Sequence, residues 1–390
     1  WDLMKILHVY KTFLGDAFGG VERVIAQIVR NPQSNFHHTI LSLSPDPEPK
    51  ELEYLGIKII RYKESLNIAS NSISFSLLKD FRKIAQQADV IHYHFPWPFA
   101  DVLHLFSRTQ KPAIVTYHSD IVRQKFLFYL YRPLMHHFLK SIDTIVATSP
   151  NYFSTSPVLQ KFREKVTVIP IGLNKTNYSM VTDARQAYWR NLYGDKFFLF
   201  IGVMRYYKGL HILLEAAQGT SFPILIVGSG PIEEELKMQA KELGLTNIHF
   251  LGRLAEEDKI ALLQLCLSVI FPSHLRSEAF GVSLLEGAMF GKSLISSEIG
   301  TGTSYINVDG ETGLVVPPGD SLALRNAMQF IWDNPDKATV MGEKAAERYW
   351  SLFTADKMVA EYERLYRGIA NKKQGDSMLV NKDSMTNQNV

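Results

Sequence analysis

Two doubly wound α/β domains in tandem are the fold that the order of apolar segments predicts. Three observations carry this expectation. Short, β-branched apolar runs recur along the chain with spacers long enough for a helix, which is the rhythm of a parallel sheet covered on its faces. The rhythm breaks once, at IPIGLNKTNYSM (residues 169–180), where polar residues take over, and it then resumes. Each half also opens alike, as strand, glycine-bearing loop and helix: ILHVY…FGGVERVIAQI and FLFIG…YKGLHILLEAA.

Taken in order, the first half offers strands at 5–10, 39–43, 57–61, 90–94, 113–117, 144–148 and 166–169. The second offers 197–202, 224–228, 248–251, 267–271, 293–296 and 313–316. The expected layout is a first domain over 4–175 and a second over 176–353. Met358, Tyr362, Leu365 and Tyr366 then recur at helical spacing, which predicts an amphipathic helix over 354–370. The polar stretch 371–390 is expected to be disordered.

Composition narrows the function classes. A chain of 390 residues with 46% hydrophobic residues can build sizeable cores and is not a disordered chain. Its formal net charge of +3 gives no electrostatic reason to invoke nucleic acid. The single cysteine, Cys266, lies inside the apolar run ALLQLCLSVIF; it excludes an internal disulfide and fits a reducing compartment. The opening WDLMKILHVYK lacks the pattern of a secretory leader, and no stretch reaches the ~18 apolar residues of a spanning helix. The expected location is cytoplasmic, either free or peripheral on the cytoplasmic face of a membrane.

The most informative stretch is FPSHLRSEAFGVSLLE, residues 271–286. Its two carboxylates, Glu278 and Glu286, are eight positions apart, roughly 12 Å if the whole stretch were helical. That is too far for a shared-proton pair and suits gripping two ends of one extended ligand. The N–H groups of Ala279, Phe280 and Gly281 fall at a helix start, which suits a phosphate.

GVMRYYKG puts Arg205 and Lys208 just past a strand, where ligands bind in open α/β sheets; both are also compatible with a solvated surface. Gly19 and Gly20 can bring backbone N–H groups to an anion, or simply make a tight connection. VGSGP resembles a dinucleotide turn but has Glu233 in place of the third glycine, so NAD is poorly supported.

His118 and Asp120, in TYHSD, also follow a strand. His92 and His94 lie two apart on one strand face; with no third ligand evident in the sequence, they read as wall residues and no metal site is expected. The segment 121–140 mixes Arg123, Lys125, Arg132, His136, His137 and Lys140 with aromatics. It reads either as a helix packed on its own domain or as one lying on an anionic membrane surface.

The Glu278-x7-Glu286 stretch, followed by GAMFGKSLISS, resembles the retaining glycosyltransferases of the GT-B fold, specifically the large family 4. FGGVERV, GVMRYYKGL, GSGP, FLGR (250–253) and DGETGLVVPPGD appear in family order, and the resemblance covers residues 4 to about 370. It implies two Rossmann-like domains facing across a cleft, with a nucleotide-sugar donor held mainly by the second, and a last helix returning to the first.

It further implies that Glu278 contacts the hydroxyls of the donor sugar, that Glu286 binds the ribose, and that Arg205 and Lys208 neutralise the diphosphate. Gly19 and Gly20 would approach that diphosphate from the first domain. Phe280, Gly281 and Val282 would present main-chain N–H groups, Gly202 and Arg253 belong to the donor-binding set, and His118 would line the sugar pocket. One departure is that Val203 stands where many members carry an arginine, with Arg205 two positions later.

The expected reaction is metal-independent same-face sugar transfer with no cofactor. Arg205, Lys208 and the helix start would stabilise charge on the leaving phosphate. Glu278 would position the sugar rather than attack it, because carboxylates that share a retaining hydrolase mechanism sit about 5 Å apart. The TYHSD and RYYKG forms look like members that build bacterial O-antigen or other polysaccharide on a polyprenyl diphosphate lipid. GDP-mannose is therefore the expected donor and a UDP-sugar the nearest alternative. An NAD-dependent dehydrogenase and a non-catalytic sugar-binding protein are the readings from other classes.

Overall fold

The computed structural model describes residues 3–13, 19–30, 36–68, 71–121 and 125–386. The chain forms two compact units. The first takes the chain to Thr148, then Ser156–Ile169 and everything from Ala355; the second takes Ser149–Thr155 and Pro170–Thr354. The passage falls at 169/170, ahead of the 175/176 boundary drawn from composition. Leu173 explains why: its N–H donates to Phe353 O at 2.9 Å and its carbonyl accepts from Tyr349 Oη at 2.8 Å, so this stretch is tied into the second unit.

In the first unit the strands are β1 (Met4–Val9), β2 (Phe36–Ser44), β3 (Glu51–Tyr54), β4 (Ile57–Lys63), β5 (Leu66–Ile68), β6 (Asn71–Ile73), β7 (Val90–Phe95), β8 (Ala113–Tyr117), β9 (Thr144–Ala147) and β10 (Val166–Val168). Eight of them form one sheet in the order β10-β9-β8-β7-β1-β2-β4-β3. All neighbours are parallel except β3, which pairs antiparallel with β4 at the edge. β5 and β6 form a separate antiparallel pair. Strands β7 and β8 are buried at every position, as expected for a parallel sheet covered on both faces.

The second unit has β11 (Phe198–Ile201), β12 (Ile224–Val227), β13 (Ile248–Gly252), β14 (Ser268–Phe271), β15 (Ser293–Ser297) and β16 (Gly313–Val316) in one all-parallel sheet, ordered β13-β12-β11-β14-β15-β16. Phe198 and Phe200 of β11, Ile226, Ile270 and Ile295 pack with Leu213 and Met328 from covering helices in a single core. Every strand read from the sequence is present; β3, β5 and β6 are additions.

In both sheets the order reverses direction at the first strand of the unit, between β1 and β7 and between β11 and β14. At such a switch point the loops leaving two adjacent strands diverge and open a crevice at their carboxyl ends.

The closing helix runs from Ala355 to Thr386 without a break. The stretch expected to be disordered is therefore helical as far as Thr386, with 387–390 outside the described residues. Nothing in the sequence after 370 stops a helix that is already nucleated: there is no proline. Its docking on the first unit is more polar than its apolar spacing suggests. Tyr362 and Tyr366 are fully buried, and their hydroxyls bond Thr116 Oγ1 and His92 Nδ1, each at 2.8 Å.

Tyr366→Phe should therefore leave His92 one partner short and destabilise the protein by about 1–3 kcal/mol. In a thermal melt this should read as a loss of roughly 2–4 °C per kcal/mol. An unchanged melting temperature would show that the hydroxyl contributes nothing.

Candidate active site

The loops that leave β11 and β14 meet at the switch point of the second unit. β11 feeds residues 202–209 and β14 feeds residues 272–281. Lys208 Nζ forms an ion pair with the Glu278 carboxylate, although the two are seventy residues apart. The ammonium also stands 4.8 Å from the ring centre of Phe271 and 5.3 Å from that of Tyr207. Both partners are largely withdrawn from water, with side-chain exposures of 12% and 11%. Burial opposes the ammonium, but the Glu278 carboxylate and the Tyr207 side chain outweigh burial and the Arg205 charge. The lysine is thereby held above its ordinary range and stays charged.

The loops touch through backbone as well. His274 N donates to Tyr207 O at 3.0 Å. Gly209 has φ +72°, and a Cβ there would lie 2.0 Å from Pro272 O, so only glycine lets the lysine loop approach the end of β14 this closely. The turn after β12 supports the other side of the loop: Met204 N donates to Ser229 O at 3.0 Å.

Arg205 is exposed at the start of the turn Tyr206–Lys208, so the structure does not bring it into the buried pair. Arg253, which follows β13, is also exposed and donates through Nε to Ser229 Oγ at 2.6 Å. Gly202 follows β11, its N–H donating to Val227 O.

The helix Val282–Met289 is capped by Gly281, so residues 278–281 are not helical and the full-helix spacing of the two carboxylates does not apply. Phe280 is buried just before the cap, and Val282 opens the first turn, where helix donors lack intrahelical partners. Glu286 is buried in the helix, and its Oε1 accepts from Tyr178 Oη at 2.8 Å. Sequence reasoning missed Tyr178, which lies in the polar stretch read as a boundary; nothing in its local pattern points to Glu286.

In the first unit Gly19 caps the helix Gly20–Val29. Its N–H donates to Glu22 Oε2 at 3.1 Å, while Thr12 Oγ1 donates to Glu22 Oε1 at 2.6 Å. The donor that the sequence reserves for an anion is thus engaged by the helix's own glutamate. Gly20 opens the helix, and residues 14–18 of this loop lie outside the described residues.

His118 is buried immediately after β8, with its N–H donating to Phe95 O at 3.0 Å and its Nε2 3.0 Å from His94 Nδ1. Asp120 accepts from Tyr117 Oη at 2.9 Å and Ser156 Oγ at 2.8 Å.

The sequence offers His92 and His94 without a third histidine, but parallel register brings His8 opposite His92, and ring nitrogens of His8, His92 and His94 all lie within 4.8 Å of one another. His38 joins through a 3.0 Å bond from its Nδ1 to His8 Nε2. The available signal was that each of β1, β2 and β7 carries a histidine, with another just past β8, in ILHVY, FHHTI, IHYHF and TYHSD.

Burial, reinforced by neighbouring imidazoles, holds His8, His92 and His94 well below their ordinary value of 6.5. It lowers His38 to about 4 and His118 to about 3. These rings are neutral when folded and take up protons once unfolded. Between pH 6.5 and about 4 the unfolded chain therefore binds more protons, and stability falls as pH drops. The melting temperature should decline from pH 7 to pH 5 and decline less in His38→Gln. An equal slope in both would mean that His38 is not a source of the effect.

The second unit thus holds a lysine–carboxylate pair and a buried glutamate beside the switch point of an all-parallel sheet, and what that frame does is read from the proteins it resembles. Residues 188–348 match the family described as glycosyl transferases group 1, and residues 18–176 match glycosyltransferase family 4. D-rhamnosyltransferase WbpZ of Pseudomonas aeruginosa is 56% identical over 90% of this chain and 93% of its own. O-antigen chain mannosyltransferase C of Escherichia coli is 48% identical over 95% of this chain and all of its own. Among solved structures, Anabaena Alr3699/HepE in complex with UDP-glucose superposes with a TM-score of 0.76 at 17% identity, covering 94% of this chain and 100% of that one. The chain belongs to glycosyltransferase family 4.

Proposed function

We propose that the protein is a retaining α-mannosyltransferase that moves mannose from GDP-mannose onto a polyprenyl-diphosphate-linked saccharide during O-antigen synthesis. The observation that carries the chemistry is the Lys208–Glu278 pair at the β11/β14 switch point. A nucleotide diphosphate presents Lys208 with a stronger anion than one carboxylate. Lys208 then takes the charge that develops as the anomeric C–O bond breaks, and Arg205 adds a second cation. Glu278, relieved of the lysine, accepts hydrogen bonds from hydroxyls of the sugar. Glu286, oriented by Tyr178, accepts from the ribose. The acceptor hydroxyl attacks on the face that the phosphate leaves, and its proton goes to the departing phosphate oxygen. No cofactor or divalent ion is needed in this scheme.

The names of the two relatives support a manno-configured sugar. They also favour a second reading: D-rhamnose is mannose without its 6-hydroxyl, so a GDP-linked 6-deoxy donor has the same ring configuration. A UDP-sugar is the remaining alternative.

Product analysis with GDP-mannose, its 6-deoxy counterpart and UDP-glucose, on a lipid-diphosphate-GlcNAc acceptor and in the presence of EDTA, should give α-mannosyl product from GDP-mannose. Transfer from UDP-glucose alone would overturn the donor, and a β-linked product would overturn retention. Lys208→Ala should lower kcat by about 10²-fold or more, and Glu278→Gln should also lower it substantially. Near-full turnover in Glu278→Gln would remove the role given to that residue.

The acceptor's lipid suggests contact with the cytoplasmic face of the inner membrane. The helix Lys125–Ser141 exposes Tyr129, Leu130, Arg132, His137 and Lys140, apolar and basic together, although no described helix is long and apolar enough to cross a membrane. Tyr129→Asp with Leu130→Asp should weaken co-sedimentation with anionic vesicles while leaving transfer to a short-chain acceptor intact. Equal sedimentation would place the contact elsewhere.

A further inference from the structure

The buried histidines of the first unit form an ordered chain. His118 Nε2 lies 3.0 Å from His94 Nδ1, His94 Nε2 lies 3.2 Å from His8 Nδ1, and His8 Nε2 lies 3.0 Å from His38 Nδ1. The rings are close to parallel along most of it, at 22° for His118 with His94 and 19° for His94 with His8. His92 stands beside the chain, stacked on His94, with its own nitrogens bonded to Tyr366 Oη and Thr116 Oγ1.

A neutral imidazole carries one N–H and one bare nitrogen. His94 and His8 use both nitrogens inside the chain, so each must donate once and accept once. All three bonds then point the same way. If His118 donates from Nε2, its Nδ1 is bare; if it accepts at Nε2, its Nδ1 carries the proton. The free nitrogen of His118 is thereby tied to His38, three rings away. A histidine in water exchanges between tautomers, whereas a ring in this chain can change only if the others change with it. The low proton affinity of these buried rings is consistent with a chain that is neutral near pH 7.

We propose that His94, His8 and His38 are positioning residues that hold His118 in a single tautomer through a continuous chain of imidazole hydrogen bonds. This deepens the reading above and rests on it in one respect, the placement of His118 against the sugar. A bare Nδ1 would accept from a sugar hydroxyl and a protonated one would donate to a sugar oxygen; the chain makes that choice common to all four rings rather than one for His118 alone.

A divalent ion held by His8, His92 and His94 is the competing account. It would take nitrogens that are already bonded in pairs. It would also place a double positive charge in a fully buried site.

Long-range proton–nitrogen NMR on the full chain with isotope-labelled histidine tests the proposal. In the wild type, His8, His94 and His118 should each show one protonated and one bare nitrogen, all in the same tautomer. His8→Phe should turn His118 into a mixture of tautomers and lower kcat by roughly tenfold, with the donor KM held within about twofold. His8→Gln, whose amide both donates and accepts, should retain the single tautomer. If His8→Phe does not fold, His38→Phe at the end of the chain should give the same mixture.

An unchanged His118 tautomer in the folded phenylalanine variants, opposite tautomers on adjacent rings, or one equivalent of divalent metal per chain would overturn it. The spectra need no substrate, so they decide the matter even if the wild type transfers no sugar.

Discussion

A lysine taken out of water must be matched by an anion, and Lys208 is matched by Glu278. Burial alone would push the ammonium toward neutrality; the carboxylate reverses the sign. The match depends on topology before it depends on either residue. Only because β11 and β14 are adjacent and parallel do two loops seventy residues apart leave the sheet at the same edge. The pair is worth more as a placed charge than as a source of stability, because the desolvation of two ions offsets most of their attraction. Gly209 and the bond from His274 N to Tyr207 O then keep the two loops in contact.

The first unit solves a different problem on one face of its sheet. Where β1, β2, β7 and β8 would ordinarily present aliphatic side chains to a covering helix, this chain presents His8, His38, His92, His94 and Thr116. Such a row is tolerable only if its polar atoms find partners. The histidines partner one another, and Tyr362 and Tyr366 of the closing helix supply hydroxyls to Thr116 and His92. The closing helix is therefore specified twice, by apolar spacing for its docking stripe and by hydroxyl position for its register.

Both sheets were legible from the sequence because each strand is a short apolar run that periodicity can find unaided. β3 was not, since Glu51 and Glu53 make it a charged edge strand exposed along most of its length. The site divides in the same way. Lys208, Glu278 and Glu286 sit in motifs whose local pattern points to ligands. Tyr178 acts through a contact across 108 positions, and His8 and His38 act through cross-strand register. Local spacing contains neither. Arg205 shows the opposite limit: its motif is legible, but whether a side chain lies in the buried pair or in solvent is decided by the turn Tyr206–Lys208.

VGSGP shows why a glycine motif needs its context before it is read as a ligand site. A Cβ on Gly230 would fall 2.3 Å from Met204 O and 2.6 Å from Met204 N. The absent side chain is therefore required by the backbone of the lysine loop, whatever the ligand. The same turn gives Ser229 O to Met204 N and Ser229 Oγ to Arg253. What resembles half of a dinucleotide fingerprint is here the platform on which residues 202–208 rest. The missing third glycine at Glu233 is then no defect. Glu233 begins the helix Glu233–Glu242 and forms an ion pair with Lys237 on its surface, a place that makes no demand for close backbone approach. The turn supports the lysine loop from behind, on the way to the point where Lys208 meets Glu278.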